Sequence, residues 1–175
     1  VLVLLIIWLI SVYNKLVVAR NKVKNSWGQI DVQLKRRFDL IPNLIETVKG
    51  FAAQEKSILG DFAKARTMFS NADNAPAKAA EANNMLTQTL GRLIAVSEAY
   101  PELKSDTHFA KMMDELRDTE NKISFTRQFY NDVVLSFNNK IQVFPNVVVA
   151  RMFNFKEEQF FKVMDEEKAA PQVKF

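Results

Sequence analysis

The sequence predicts an all-α protein: an N-terminal transmembrane helix that continues into an antiparallel bundle of about four long helices, with a short helical C-terminal tail. Three observations predict it. Apolar residues recur every three or four positions over most of the chain, which is the stripe of an amphipathic helix and not the alternation of a strand. Glycine occurs 4 times and proline 5 times in 175 residues, too sparsely for a fold built on strands and tight turns. The chain also opens on an uncharged apolar run, VLVLLIIWLISV, from Val1 to Val12.

That run supplies the expected anchor: Leu2, Leu4, Leu5, Ile6, Ile7, Trp8, Leu9 and Ile10, with Tyr13 placed for the interfacial aromatic belt. A span needs about 20 apolar residues. Twelve are too few and no initiating Met is present, so the expectation is that the true start lies upstream and completes the span. A cleaved signal peptide would end at small residues, and nothing after Ile10 resembles such a site. Lys15, Arg20, Lys22 and Lys24 follow, with no acid before Asp31. The positive-inside rule then favours a cytoplasmic domain over a periplasmic or extracellular one. A solvated helix face that sets topology accounts for these cations more simply than contact with anionic lipid.

Leu16, Val17, Arg20, Val23, Trp27, Ile30 and Leu34 keep helical spacing with no breaker between them. The membrane helix is therefore expected to run straight into the domain, as a rod of roughly 57 Å. A break is expected near Phe38–Ile41. Pro42 suits a first turn, Asp39 suits a cap, and proline disfavours helix at the residue before it. A second helix is expected from Pro42 to Met68 or Phe69. A loop follows over 70–76, then a third helix from Pro76 to Tyr100-Pro101. PELKSDTHF reads as a loop, and a fourth helix begins at Asp106 or Thr107 and reaches Phe144-Pro145. NVVVARMFNF fits a short apolar helix, KEEQFFKVMDEEK another amphipathic turn or two, and AAPQVKF an extended end. The expected boundaries are 1–19 for the membrane segment, 20–145 for the bundle and 146–175 for the tail.

Hydrophobic residues make up 48% of the chain, enough for a real core; net charge is +4 and pI about 9.3. The chemical inventory is thin. There is no cysteine, hence no disulfide, thiol nucleophile or thiolate metal site. His108 is the only histidine, at a helix start with Asp106 nearby, and is better read as an exposed residue than as a ligand or base. Acid pairs such as Glu98 and Glu102, Asp114 and Glu115, or Glu157 and Glu158 read as solvated faces. The Glu-x-x-His of di-iron bundles and the glycine-rich phosphate loops are absent from the sequence. No catalytic, cofactor or metal residue is assigned. Lys35, Arg36 and Arg37 lack the interleaved aromatics of a nucleic-acid surface, so no nucleic acid is expected.

Two groups are candidate protein contacts. Arg36, Arg37, Asp39 and Asn43 cluster at the far end of the first helix, where partner docking and a local Arg–Asp capping pair explain them equally. Phe153, Phe155, Phe160, Phe161 and Phe175 are many aromatics for a tail and suggest docking on the bundle or on a neighbouring subunit. Glu120 reads as pairing with Arg117 along its own helix. The alternative turns Glu120 and Asn121 inward to meet Arg36 or Arg37 in a polar seam.

WGQIDVQLKRRFDLIPNLIETVKG (27–50) resembles the signature of the LemA family of bacterial membrane proteins. So do YNKLVVARNKV (13–23), EAYPELK (98–104), TENKI (119–123), RQFYN (127–131), FP (144–145) and the terminal PQVKF. The resemblance covers essentially the whole chain. Ser26 stands where the family pattern has Ala, and Asn154 stands where it usually has Gly before the late Phe; asparagine is the next best residue at a left-handed helix end. The resemblance implies one membrane helix and a helical bundle in a bacterial inner membrane, and no settled activity. The expected function is a non-enzymatic scaffold that self-assembles, with the lipid bilayer and further copies of itself as partners. The alternative is an accessory or sensory partner of another membrane protein, such as a membrane protease in envelope stress.

Overall fold

The computed structural model describes residues 1–163, and every regular element among them is helical. The helices are α1 Leu2–Asp39, α2 Ile41–Ala52, α3 Lys56–Asn71, α4 Pro76–Ser97, α5 Pro101–Ser105, α6 Thr107–Gln142 and α7 Asn146–Met152. They form two compact units. One comprises Val1–Asp31 and Ser124–Phe160; the other comprises Val32–Ile123 and the described residues from Phe161 to Val163.

In the first unit, the 3–4 stripe of α1 buries Val12, Leu16, Ala19, Val23 and Ile30. The matching stripe of α6 buries Tyr130, Val133, Val134, Phe137 and Ile141, and α7 adds Val149 and Ala150. Trp27 and Tyr130 bring the two long helices into ring contact at 5.6 Å. α7 ends on Asn154 with φ 57°, a left-handed residue, and the Phe155 N–H donates to the Ala150 carbonyl at 2.9 Å. That closure satisfies the last turn, and asparagine is one of the few residues besides glycine that adopts it readily.

In the second unit, Leu34 and Phe38 of α1 join Ile41, Leu44 and Val48 of α2 in a core with Phe62, Leu86, Leu93 and Leu103. Phe38 stacks on Phe69 at 4.3 Å with rings 3° from parallel. α3 packs along α4, and Asp61 pairs with Arg92 at 2.7 Å. The turn between those helices uses Asp73 (φ 46°) and Asn74 (φ 58°), residue types that tolerate the left-handed region. Asp106 begins α6 as expected, accepting from the Phe109 N–H at 2.9 Å.

The structure corrects four local expectations. The break after Asp39 is present, but no side chain caps α2: Leu40 alone separates the helices and stays in the right-handed helical region. The long second helix is two helices, α2 and α3. Gln54 donates to the Tyr100 hydroxyl at 2.6 Å, and that hydroxyl donates to Glu55 at 3.0 Å. Glu55 leaves helical geometry (φ −79°, ψ 56°), while the apolar stripe on either side of the turn stays in phase and so reads as continuous. The PELKSDTHF loop contains α5, started by Pro101 at its first turn and steadied by Lys104 on Glu98 at 2.8 Å. Residues 155–163 form no helix, and the backbone of Glu158 and Gln159 bonds α6 side chains instead. The rest of KEEQFFKVMDEEK, AAPQVKF and Phe175 lie outside the described residues.

Candidate functional site

The residues expected to form an anchor stand apart from the packed core. Leu2, Leu4, Leu5, Ile6, Ile7, Trp8 and Ile10 are all exposed, Leu9 is half-buried, and Val12 is the first buried side chain. Among the described residues one helix is long and apolar enough to cross a membrane, and it begins at Leu2. An α-helix bonds its own backbone, so such a stretch needs no partner in hydrocarbon.

Just past it, Tyr13 meets two tail aromatics: Phe153 at 4.7 Å and Phe155 at 5.9 Å between ring centroids. The Arg20 guanidinium sits 4.7 Å over the Phe155 ring. Phe155 is buried and Phe153 is 44% exposed. The chain beyond is pinned to α6 by polar side chains. The Tyr130 hydroxyl donates to the Gln159 carbonyl at 2.7 Å, Asn138 bonds both backbone groups of Glu158, and Gln142 donates to Glu157. Burial pushes the Tyr130 phenol up, with the Glu158 charge adding to it. Phe160 is half-buried and Phe161 fully buried, so of the four described tail aromatics only Phe153 presents much surface.

Arg36 and Arg37 part company. Arg37 is wholly buried in the second unit. Its Nη1 donates to Asn83 and to Thr87 Oγ1 (3.1 Å) on α4, and its Nη2 lies 3.8 Å from Glu120 on α6. Burial pushes its pKa down to about 10 against the opposing pull of Glu120. This arginine ties three helices together from inside and presents nothing to a docking partner. Arg36 is on the outside, 3.0 Å from Asp118, which Lys122 also reaches at 3.1 Å. Those two hydrogen bonds, Lys122 first, hold the Asp118 carboxyl below its usual range. Asp39 and Asn43 are exposed.

Of the polar seam, Glu120 meets Arg37 with its side chain 47% exposed, while Asn121 is exposed and the Arg117 partner is Asp114 at 3.5 Å. The sequence reading missed Asn83 and Thr87. Asn83 was findable: it falls between Ala79 and Leu86 on the buried stripe of α4, where an amide needs a polar partner. His108 is exposed, and no group of three or more His, Asp or Glu side chains converges among the described residues. An open groove of about 480 Å³ runs along the outer face of α6, between Leu135 and Val143.

The LemA family profile matches residues 26–175. The LemA protein of Metamycoplasma hominis is 25% identical over 155 residues, covering 89% of this chain and 71% of its own length. Magnetosome protein MamQ 2 of Paramagnetospirillum magneticum is 25% identical over 175 residues, covering 86% of this chain. The chain spans 64% of that relative, under two thirds of its length. Magnetosome protein MamQ of Magnetospirillum gryphiswaldense is 24% identical, covering 91% of this chain and 68% of its own length. From Ser26 the profile takes in the end of α1 with the buried Arg37, the whole of α6 and the tail, and the chain belongs to the LemA family.

Proposed function

We propose that this protein is a single-pass, membrane-anchored helical scaffold that self-assembles at the bacterial inner membrane and has no catalytic activity of its own. One observation carries the reading: α1 passes from Leu2 to Asp39 without a break, its apolar start exposed and one stripe of it buried from Val12 onward. Leaving eight or more large apolar side chains in water would forgo about 1.5 kcal/mol or more for each. The sum rivals the whole stability of a typical domain. A bilayer removes that cost. The acid-free flank with Lys15, Lys22 and Lys24 favours a cytoplasmic domain.

Self-assembly draws on the outer face of α6, where Phe125 is 82%, Phe129 49% and Leu135 51% exposed. Relatives named as magnetosome proteins support a part in a larger assembly. The same face and its groove favour the second reading, an accessory partner of another membrane protein such as a protease. Light scattering on the detergent-extracted particle, with the micelle subtracted, separates the two. A mass many times the 20.1 kDa chain is expected. One chain per micelle would end the scaffold reading and leave the accessory one.

A further inference from the structure

We infer that the corner joining α6 to α7 is a second membrane-contact site, at which Phe144, Val148, Met152 and Phe153 enter the headgroup region of an anionic bilayer beside α1. The inference rests on reading α1 as the anchor and deepens it.

The first argument is position. α6 runs antiparallel to α1 within the first unit, with Trp27 against Tyr130 and Lys22 Nζ 5.9 Å over the Phe129 ring. Tyr13 lies fourteen residues before Trp27, and Phe144 lies fourteen after Tyr130. At about 1.5 Å per residue the end of α6 at Gln142, twelve residues past Tyr130, comes to within a few Å of the level of Tyr13, and Phe144 just beyond it stands near where the apolar run of α1 gives way to polar residues. The Tyr13–Phe153 ring contact fixes the other end of the corner at the same level. Both ends of this short segment therefore stand at the bilayer boundary.

The second argument is composition. Phe144 is 82%, Met152 62%, Val148 47% and Phe153 44% exposed. Val148 and Met152 are one helical turn apart on α7, on one face. No acid occurs from Val133 to Lys156, while Lys140, Arg151 and Lys156 are all exposed. The first acid beyond, Glu157, is engaged with Gln142. α1 has no acid before Asp31. An apolar patch ringed by cations is the surface that an anionic interface recognises. A second copy docking here about a two-fold axis would set those cations against their own kind, which disfavours that occupant.

The absence of cysteine makes the test direct. Single variants Ile6→Cys, Val148→Cys, Met152→Cys and Lys64→Cys, the last at an exposed position of α3, carry a nitroxide in the full chain, reconstituted in vesicles of phosphatidylcholine and phosphatidylglycerol. Power saturation with oxygen and with a water-soluble nickel chelate reports depth. The expected result is a deep label at residue 6, an aqueous one at 64, and labels at 148 and 152 with an oxygen-to-nickel accessibility ratio several-fold above that at 64. That ratio falls when phosphatidylglycerol is omitted; a ratio indifferent to it would overturn the anionic preference. Labels at 148 and 152 as aqueous as that at 64, with residue 6 deep, would overturn the inference and leave the anchor standing. An aqueous label at residue 6 would overturn both. Labels at 148 and 152 shielded from oxygen and nickel alike would mean a protein partner and sink the lipid contact.

Discussion

Asn138 bonds both backbone groups of Glu158: its Nδ2 donates to the Glu158 carbonyl at 3.1 Å, and the Glu158 N–H donates to its Oδ1 at 2.8 Å. Only a planar amide offers a donor and an acceptor side by side in this way. In a segment where the sequence pattern suggested a helical turn, the Glu158 backbone instead finds its partners on one buried side chain of α6.

Asn138→Leu keeps the volume and loses both bonds. Two bonds at about 1 kcal/mol each set a destabilisation of about 2 kcal/mol. Amide exchange at Glu158 should accelerate, and tryptic cleavage at Lys156 should appear early. Unchanged exchange at Glu158 would show that the tail is held by its aromatics alone.

Arg37 is a buried cation whose desolvation outweighs the attraction of Glu120, as its lowered pKa shows. Arg37→Ala opens a cavity and strands Asn83 and Thr87, and should cost about 3 kcal/mol or more in urea unfolding. Arg37→Met refills the space without a charge to desolvate and should cost less than half as much. Equal losses for the two would mean that the charge, and not the packing, holds α1, α4 and α6 together.

Tyr130 gives a pH dependence with a defined sign. Its phenol is raised above its ordinary 10.0 in the folded state, first by burial and then by the Glu158 charge. Above pH 10 the unfolded chain releases this proton and the folded chain keeps it. The contribution is thus fully present below pH 10 and lost as pH rises past it. Tyr130→Phe should flatten that alkaline decline and cost about 1 kcal/mol at neutral pH for the bond to Gln159. Thermal melts from pH 8 to about 11 compare the two proteins.

What was legible in the sequence was local. The unbroken α1, the break ahead of Pro42, the Asp106 start of α6 and the left-handed end at Asn154 each depend on residues within a turn or two of the feature. Stripe periodicity, proline sterics and capping act at that range. The apolar start of α1 belongs with them, because an uncharged apolar run is a matter of composition and length.

Tertiary structure decided what depended on distant partners. The Gln54–Glu55 turn is held by Tyr100, more than forty residues away, so no local signal marked it. Arg36 and Arg37 are neighbours of like chemistry. Their fates diverge because successive helical residues point about 100° apart, one towards solvent and Asp118, the other towards Asn83, Thr87 and Glu120. The sequence could place a cation on the α1 stripe. Only the packed helices could supply the acceptors that make burying it tolerable.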